Sequence, residues 1–398
     1  MSWQPKRLDQ LGAVSRGRSR HRPRDAAHLY GGPHPFIQTG DVKHAGLYIN
    51  GYTQTYSDAG LAQSKLWPAG TLCITIAANI ADTAILGIDA CFPDSVIGFT
   101  PDPHEADARF VKYLFDANIK RRAQQFSQGA AQDNLSQEKL LTLDFDVPRV
   151  DEQTRIADIL STYDDLIENN RRRMVLLEES ARQLYNEWFI RLRFPGHEHT
   201  RITDGVPKGW VRAPTSDAIE VNPKTILSDD NEHWYVEMAD LPTGSMVIQG
   251  AIMRDGRSGS KFQNSDTLLA RITPCLENGK TGFVNFMAPS EAGRGSTEFI
   301  VLRSKRVTPE FVYCLARTYH FREIAIKSMI GASGRQRVQE SCFDKCMVFI
   351  PPPSLLRIFS EFAEPVFEQI KTLHAQNQKL RAARDLLLPR LMSGEIAV

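Results

Sequence analysis

Two long amphipathic stretches, one central and one C-terminal, constrain this chain of 398 residues more than any other feature. Each opens at a proline: Val147-Pro148 begins the first and Ile350-Pro351 the second, 203 residues later. The apolar positions of the first are Ile156, Ile159, Tyr163, Ile167, Met174, Leu177, Ala181, Leu184 and Trp188. The same shift leads to Phe359, Phe362, Val366, Ile370, Asn377, Leu380, Arg384, Leu387 and Leu391, most of them apolar again. Steps of three and four alternate, which is the seam of a coiled coil. Asn170 and Asn377 interrupt it, and a buried Asn there costs stability but can fix register.

The spacing predicts one helix from about Glu152 to about Leu192, ended by Phe194-Pro195-Gly196. It predicts another from about Leu355 to about Met392, stopped by Ser393-Gly394. Each would be roughly 60 Å long. Pro365 and Pro389 fall inside the second pattern and predict a kink or late start, then a frayed end. Two helices with matching seams can pair antiparallel within one chain. Asp164-Asp165 and Glu178-Glu179 read as solubilising charges off the seam.

The segments before the helices repeat more weakly. Ile37–Val42 resembles Val236–Leu241, Gly70–Ile76 resembles Asp266–Ile272, and Ser95–Phe99 resembles Ser296–Val301. Trp3 corresponds to Trp210. Strand-like runs with Gly, Pro and Asn turns dominate both, and a shorter helix follows each, near Asp107–Phe126 and Pro309–Ser328. The expected fold is therefore α+β. Its order is a globular domain over 1–150, a helix over 151–194, a polar linker over 195–209, a second domain over 210–353 and a helix over 354–398.

Catalytic signatures are missing from the sequence. It contains no GxxxxGK[ST] loop, no GxGxxG after a strand, no HExxH and no nucleophile elbow. It also lacks the Asx-Pro-Pro-aromatic element with which amino-methyltransferases hold a flipped base. His197-Glu-His199 lies in the linker and reads as solvated, and no metal site is expected. Six scattered cysteines read as reduced thiols of a cytoplasmic protein without a signal peptide. The longest mostly apolar run, Leu72–Ile88, is short and polar for a membrane span.

Binding chemistry is present instead. Net charge is only +1, yet the first 24 residues carry seven Lys or Arg against Asp9 alone. Arg16, Arg18, Arg20 and Arg22 fall in a turn-rich basic loop suited to phosphates, or equally to a solvated arm. Lys43, Lys120-Arg-Arg122, Gln132 and Asn134 add to the first half. Arg254, Arg257, Lys261, Lys280, Arg294, Arg335 and Arg337 add to the second. Arg, Gln and Asn can read base edges bidentately, while Lys mostly holds phosphate. Gly129–Asn134 and Gly331–Arg337 both open with Gly-Ala just before a long helix, and are candidate DNA-facing loops.

The runs Asp151–Arg171, Leu184–Gly196, Arg271–Lys280, Gly295–Phe299 and Arg384–Gly394 resemble type I restriction–modification specificity subunits over nearly the whole chain. Arg149 departs from that pattern, which usually has two consecutive prolines before the Glu-Gln pair. The resemblance implies two target-recognition domains, each reading half of an interrupted asymmetric DNA sequence. It implies an antiparallel two-helix coiled coil, a pseudo-twofold internal repeat and no catalysis in this chain. Two methyltransferase subunits would dock around the helices, and restriction subunits would add translocation and cleavage. S-adenosylmethionine, ATP and Mg would belong to those partners. The alternative is a coiled-coil adaptor that binds protein without DNA.

Overall fold

In the computed structural model, residues 3–77, 80–120, 136–332 and 334–398 are described. They divide into two compact units, Met1–Asn169 with Asn377–Val398, and Asn170–Gln376. Each unit mixes sheets and helices, and each takes part of both long helices.

The first unit is built on a five-stranded sheet in the order Gly12–Arg16, Val96–Pro101, Leu72–Thr75, Thr83–Leu86, Tyr48–Ile49. Its pairs are antiparallel except the last, which is parallel. The inner strands Leu72–Thr75 and Thr83–Leu86 are buried at every residue, as expected where apolar and β-branched side chains fill both faces. The helix Ala108–Phe115 joins the same core through Phe110, Val111, Leu114 and Phe115. Its N-cap Asp107 accepts from the N–H groups of Arg109 and Phe110, satisfying two of the donors a helix start leaves open. The opening strand Gln4–Arg7 pairs antiparallel with Asp144–Val147, the strand that leads into the first long helix.

The second unit repeats this order. Its main sheet runs Ile219–Val221, Phe299–Ser304, Thr267–Ala270, Thr281–Phe283, antiparallel throughout. The helix Pro309–Arg317 is capped by Thr308, with proline at its first position, where the missing N–H costs nothing. Val211–Pro214 pairs antiparallel with Met347–Ile350, again the strand before a long helix. The segments likened above fall on matching elements. In both, an Asp at the third helical position accepts from the N-cap N–H: Gln38 donates to Asp41 at 2.8 Å and Glu237 to Asp240 at 2.6 Å. This unit also has a second sheet, ordered Ile252–Asp255, Glu232–Val236, Ala292–Gly295, Ser260–Gln263. The 195–209 stretch folds as a small hairpin, Ile202–Thr203 against Val206–Pro207, turned by Asp204-Gly205 at positive φ.

The first long helix is Val150–Tyr185, extended by a π-helical turn over Asn186–Ile190. The second is Pro353–Met392, unbroken through Pro365 and Pro389. The expected late start at Pro365 is corrected: Ala363, Val366, Phe367 and Ile370 are all buried around it, and that packing offsets the lost backbone bond. In the first unit Asn377 Nδ2 donates to the Ile167 carbonyl at 3.3 Å, and Arg384 pairs with Asp164. In the second, Phe359 meets Tyr185, Trp188 and Phe189 at ring distances of 6.2, 6.3 and 5.1 Å. In the first unit the contacts of Asp164 with Arg384 and of Ile167 with Asn377 run in opposite directions along the two helices, which is antiparallel packing.

The inward positions differ from the expected seam at two places. Leu160 and Ala363 are buried, while Ile159 and Phe362 are 37% and 42% exposed. One residue along a helix turns a side chain by about 100°, and the sequence offers an apolar residue at both neighbouring positions. Asp164 and Glu178 are likewise not surface charges. They occupy buried inward positions. Ile156, Ile167, Val366 and Ile370 are buried, and Tyr163, Leu177, Leu184, Leu380 and Leu387 are half-buried.

Candidate nucleic-acid interface

The N-terminal basic loop is tied down. Gly17 N–H donates to the Val96 carbonyl at 2.9 Å and Arg18 N–H to Phe92 at 3.1 Å. Gln63 Oε1 accepts from the N–H groups of Arg20 and His21. Gly17 is required there, because a Cβ would lie 2.3 Å from the Pro93 carbonyl oxygen. The solvated-arm alternative does not describe this backbone. The guanidinium groups divide by role. Arg16 donates to the Asp94 carbonyl and Arg22 to the carbonyls of Ser19 and His21, so these two brace the loop. Arg18 and Arg20 are exposed, and among the described residues their side chains have no bonded partner. Lys43 is exposed on the helix Thr39–His44. Gln132 and Asn134 lie outside the described residues, as do the rest of Gly129–Asn134 and Arg121-Arg122.

In the second unit, Arg254 is exposed on the edge strand Ile252–Asp255 and Arg257 in the turn that follows it. Arg254 reaches Glu237 at 3.3 Å and stacks over the Tyr235 ring at 4.7 Å. Arg257 donates to the carbonyls of Leu227 and Ser228. Lys280 is half-buried and donates to the Met238 carbonyl at 2.6 Å, a bond that holds two segments together. The loop Gly331–Arg337 closes through paired backbone bonds between Ile330 and Arg337, each 3.0 Å. Arg337 grips Glu298 through Nε and Nη2 at 2.6–2.9 Å. That guanidinium holds the Glu298 carboxyl below its ordinary value. Arg335, two residues earlier, is exposed with no side-chain partner among the described residues.

Two buried carboxylates fasten the short helices to the first long helix. Tyr113 donates to Asp164 at 2.6 Å in the first unit, and Tyr313 donates to Glu178 at 2.5 Å in the second. Glu178 also accepts from the Met246 N–H at 2.7 Å. Burial raises its pKa, and the Tyr313 bond, Arg317 and the Met246 bond oppose the rise. The sequence signal was available: Asp164 and Glu178 follow Leu160 and Met174 at helical steps of four. Among the described residues, no group of three or more His, Cys, Asp or Glu is placed to hold a metal ion. No helix there is long and apolar enough to cross a membrane.

Residues 1–179 match the family of the type I restriction modification DNA specificity domain. The chain is 24% identical to the type I restriction enzyme MjaIX specificity subunit of Methanocaldococcus jannaschii, over all of this chain and 94% of that one. It is 27% identical to the EcoEI specificity subunit of Escherichia coli, over 41% of this chain and 28% of that protein. In fold it is similar to the S subunit of a type I restriction–modification system from M. genitalium. The TM-score is 0.57 at 14% identity, covering 98% of this chain and 96% of that one.

Proposed function

We propose that the chain is a type I restriction–modification specificity protein, the non-catalytic subunit that recognises a two-part asymmetric DNA sequence. The observation that carries this reading is the pair of units with one strand order and different exposed cations. A shared framework suits equivalent docking of partners. Divergent surfaces suit different half-sites. Residues 1–150 and 210–353 would be the target-recognition domains, and 195–209 the linker. The helices over 151–194 and 354–398 would form an antiparallel coiled coil that sets the gap, with the two halves related by a pseudo-twofold axis.

Arg18, Arg20 and Arg335 are the cations best placed to meet DNA, since their forks are uncommitted. Arg16, Arg22, Lys280 and Arg337 shape the loops that would present them. Two methyltransferase subunits and, in a restricting complex, translocase subunits are the proposed partners. S-adenosylmethionine, ATP and Mg would be theirs, and the assembly would work in the cytoplasm.

The test is to co-express the chain with a type I methyltransferase subunit and map methylated adenines. A two-part motif with a fixed gap is the expected result. No DNA affinity that falls with salt, alone or in the complex, would instead favour a protein-only adaptor.

A further inference from the structure

We infer that a basic cleft in the second unit holds a DNA backbone phosphate, so that its cations position the duplex rather than read its bases. The inference rests on the DNA-binding reading above. The cleft is a concavity of about 390 Å³. Lys224, Arg257 and Lys261 line it together with Thr225, Ser260 and Ile226, and no carboxylate is in its lining. Asp229 comes within 3.6 Å of Arg257, but its side chain is fully in solvent. The ammonium groups of Lys224 and Lys261 have no ion pair or hydrogen bond among the described residues, whereas Arg254, Arg271, Arg303 and Arg337 in the same unit are each matched to a carboxylate.

A built framework holds the cleft open. Arg294 is 3% exposed and pairs with no carboxylate. Its guanidinium donates to the carbonyls of Arg254, Asp255 and Ser258 and stacks on Tyr235 at 4.7 Å. These bonds clamp the 254–259 turn from beneath. Gly259 completes it at φ +104°, where a Cβ would lie 2.0 Å from the Gly295 carbonyl oxygen. Arg257 is fixed by the Leu227 and Ser228 carbonyls at the cleft wall. Three positive charges around a concave site, two of them unneutralised, suit a phosphodiester. Ile226, 81% exposed at the rim, suits the apolar face of a deoxyribose. The buried positive charge of Arg294 adds to the local potential.

The experiment uses the full chain assembled with its methyltransferase subunits and a duplex bearing the mapped target. Each phosphate contact contributes about 0.9 to the slope of log affinity against log salt. K224Q with K261Q, which removes the contact to that one phosphate, is expected to lower that slope by about 0.9 and to leave the methylated motif unchanged. K327Q, whose lysine is paired with Glu323 one turn away on the helix Tyr319–Lys327, is the control and should leave the slope as it was. An unchanged slope in the double variant, with wild type still salt-dependent, overturns the cleft assignment alone. A changed motif overturns it too, since the lysines would then be reading sequence. Weakened assembly with the methyltransferase at an unchanged slope would show an acidic protein surface in the cleft, not DNA. Wild type with no salt-dependent affinity overturns the DNA reading and the assignment with it.

Discussion

Tyr113 and Tyr313 each donate to a buried carboxylate, and the two acceptors, Asp164 and Glu178, stand fourteen residues apart on one helix. A buried carboxylate is costly unless its lone pairs are filled. Tyr113→Phe and Tyr313→Phe should therefore each destabilise by roughly 1.5–3 kcal/mol, the range for a hydrogen bond to a charged group, read from urea midpoints at constant slope. Acid should separate Glu298 from Glu178. Glu298, held low by Arg337, stabilises the fold above the ordinary carboxylate range and ceases to as pH falls through its lowered value. Glu298→Gln should melt below wild type at neutral pH, and the difference should close well below the carboxylate range. Glu178 has the opposite sign: its raised pKa favours the fold in acid, and that contribution fades as pH rises through the raised value. These partners were not legible from sequence, because residue spacing within a helix says nothing about which tyrosine of another helix arrives.

At the scale of elements, the helices and their seam were legible and their phase was not. Ile159-Leu160 and Phe362-Ala363 each present two apolar neighbours, and only tertiary packing selects Leu160 and Ala363. Strand identities followed from composition, since Leu72–Thr75 and Thr267–Ala270 are apolar and bounded by turns. The second sheet of the second unit was not foreseen, because Ile252–Asp255 is exposed at every residue and lacks alternation. Of the candidate interface, the sequence marked the basic positions but not which are spent on structure. Pro365 tests how far packing carries the second helix. It is exposed and interior, so Pro365→Ala restores a backbone bond without touching the core. Alanine is favoured over proline there by about 3 kcal/mol, and losing proline's restraint on the unfolded chain returns up to about 1. A gain of roughly 2 kcal/mol in thermal or denaturant unfolding is expected.

For the whole molecule, the proposed function makes length a measurable variable. Removing one heptad from each helix at facing positions shortens the pair by roughly 10 Å, or about three base pairs of duplex. Methylome mapping should then find the same half-sites separated by a shorter gap. Altered half-sites at an unaltered gap would sink the proposal.

The antiparallel pairing of Gln4–Arg7 with Asp144–Val147, and of Val211–Pro214 with Met347–Ile350, bears on how such a protein can change over generations. Each globular insert leaves and rejoins its framework through neighbouring strands about 5 Å apart. Whatever lies between them can be exchanged by recombination at two nearby points, with no adjustment demanded of the helices. Under the proposed function, a lineage could acquire a new target in one genetic event and keep every surface its partners would depend on.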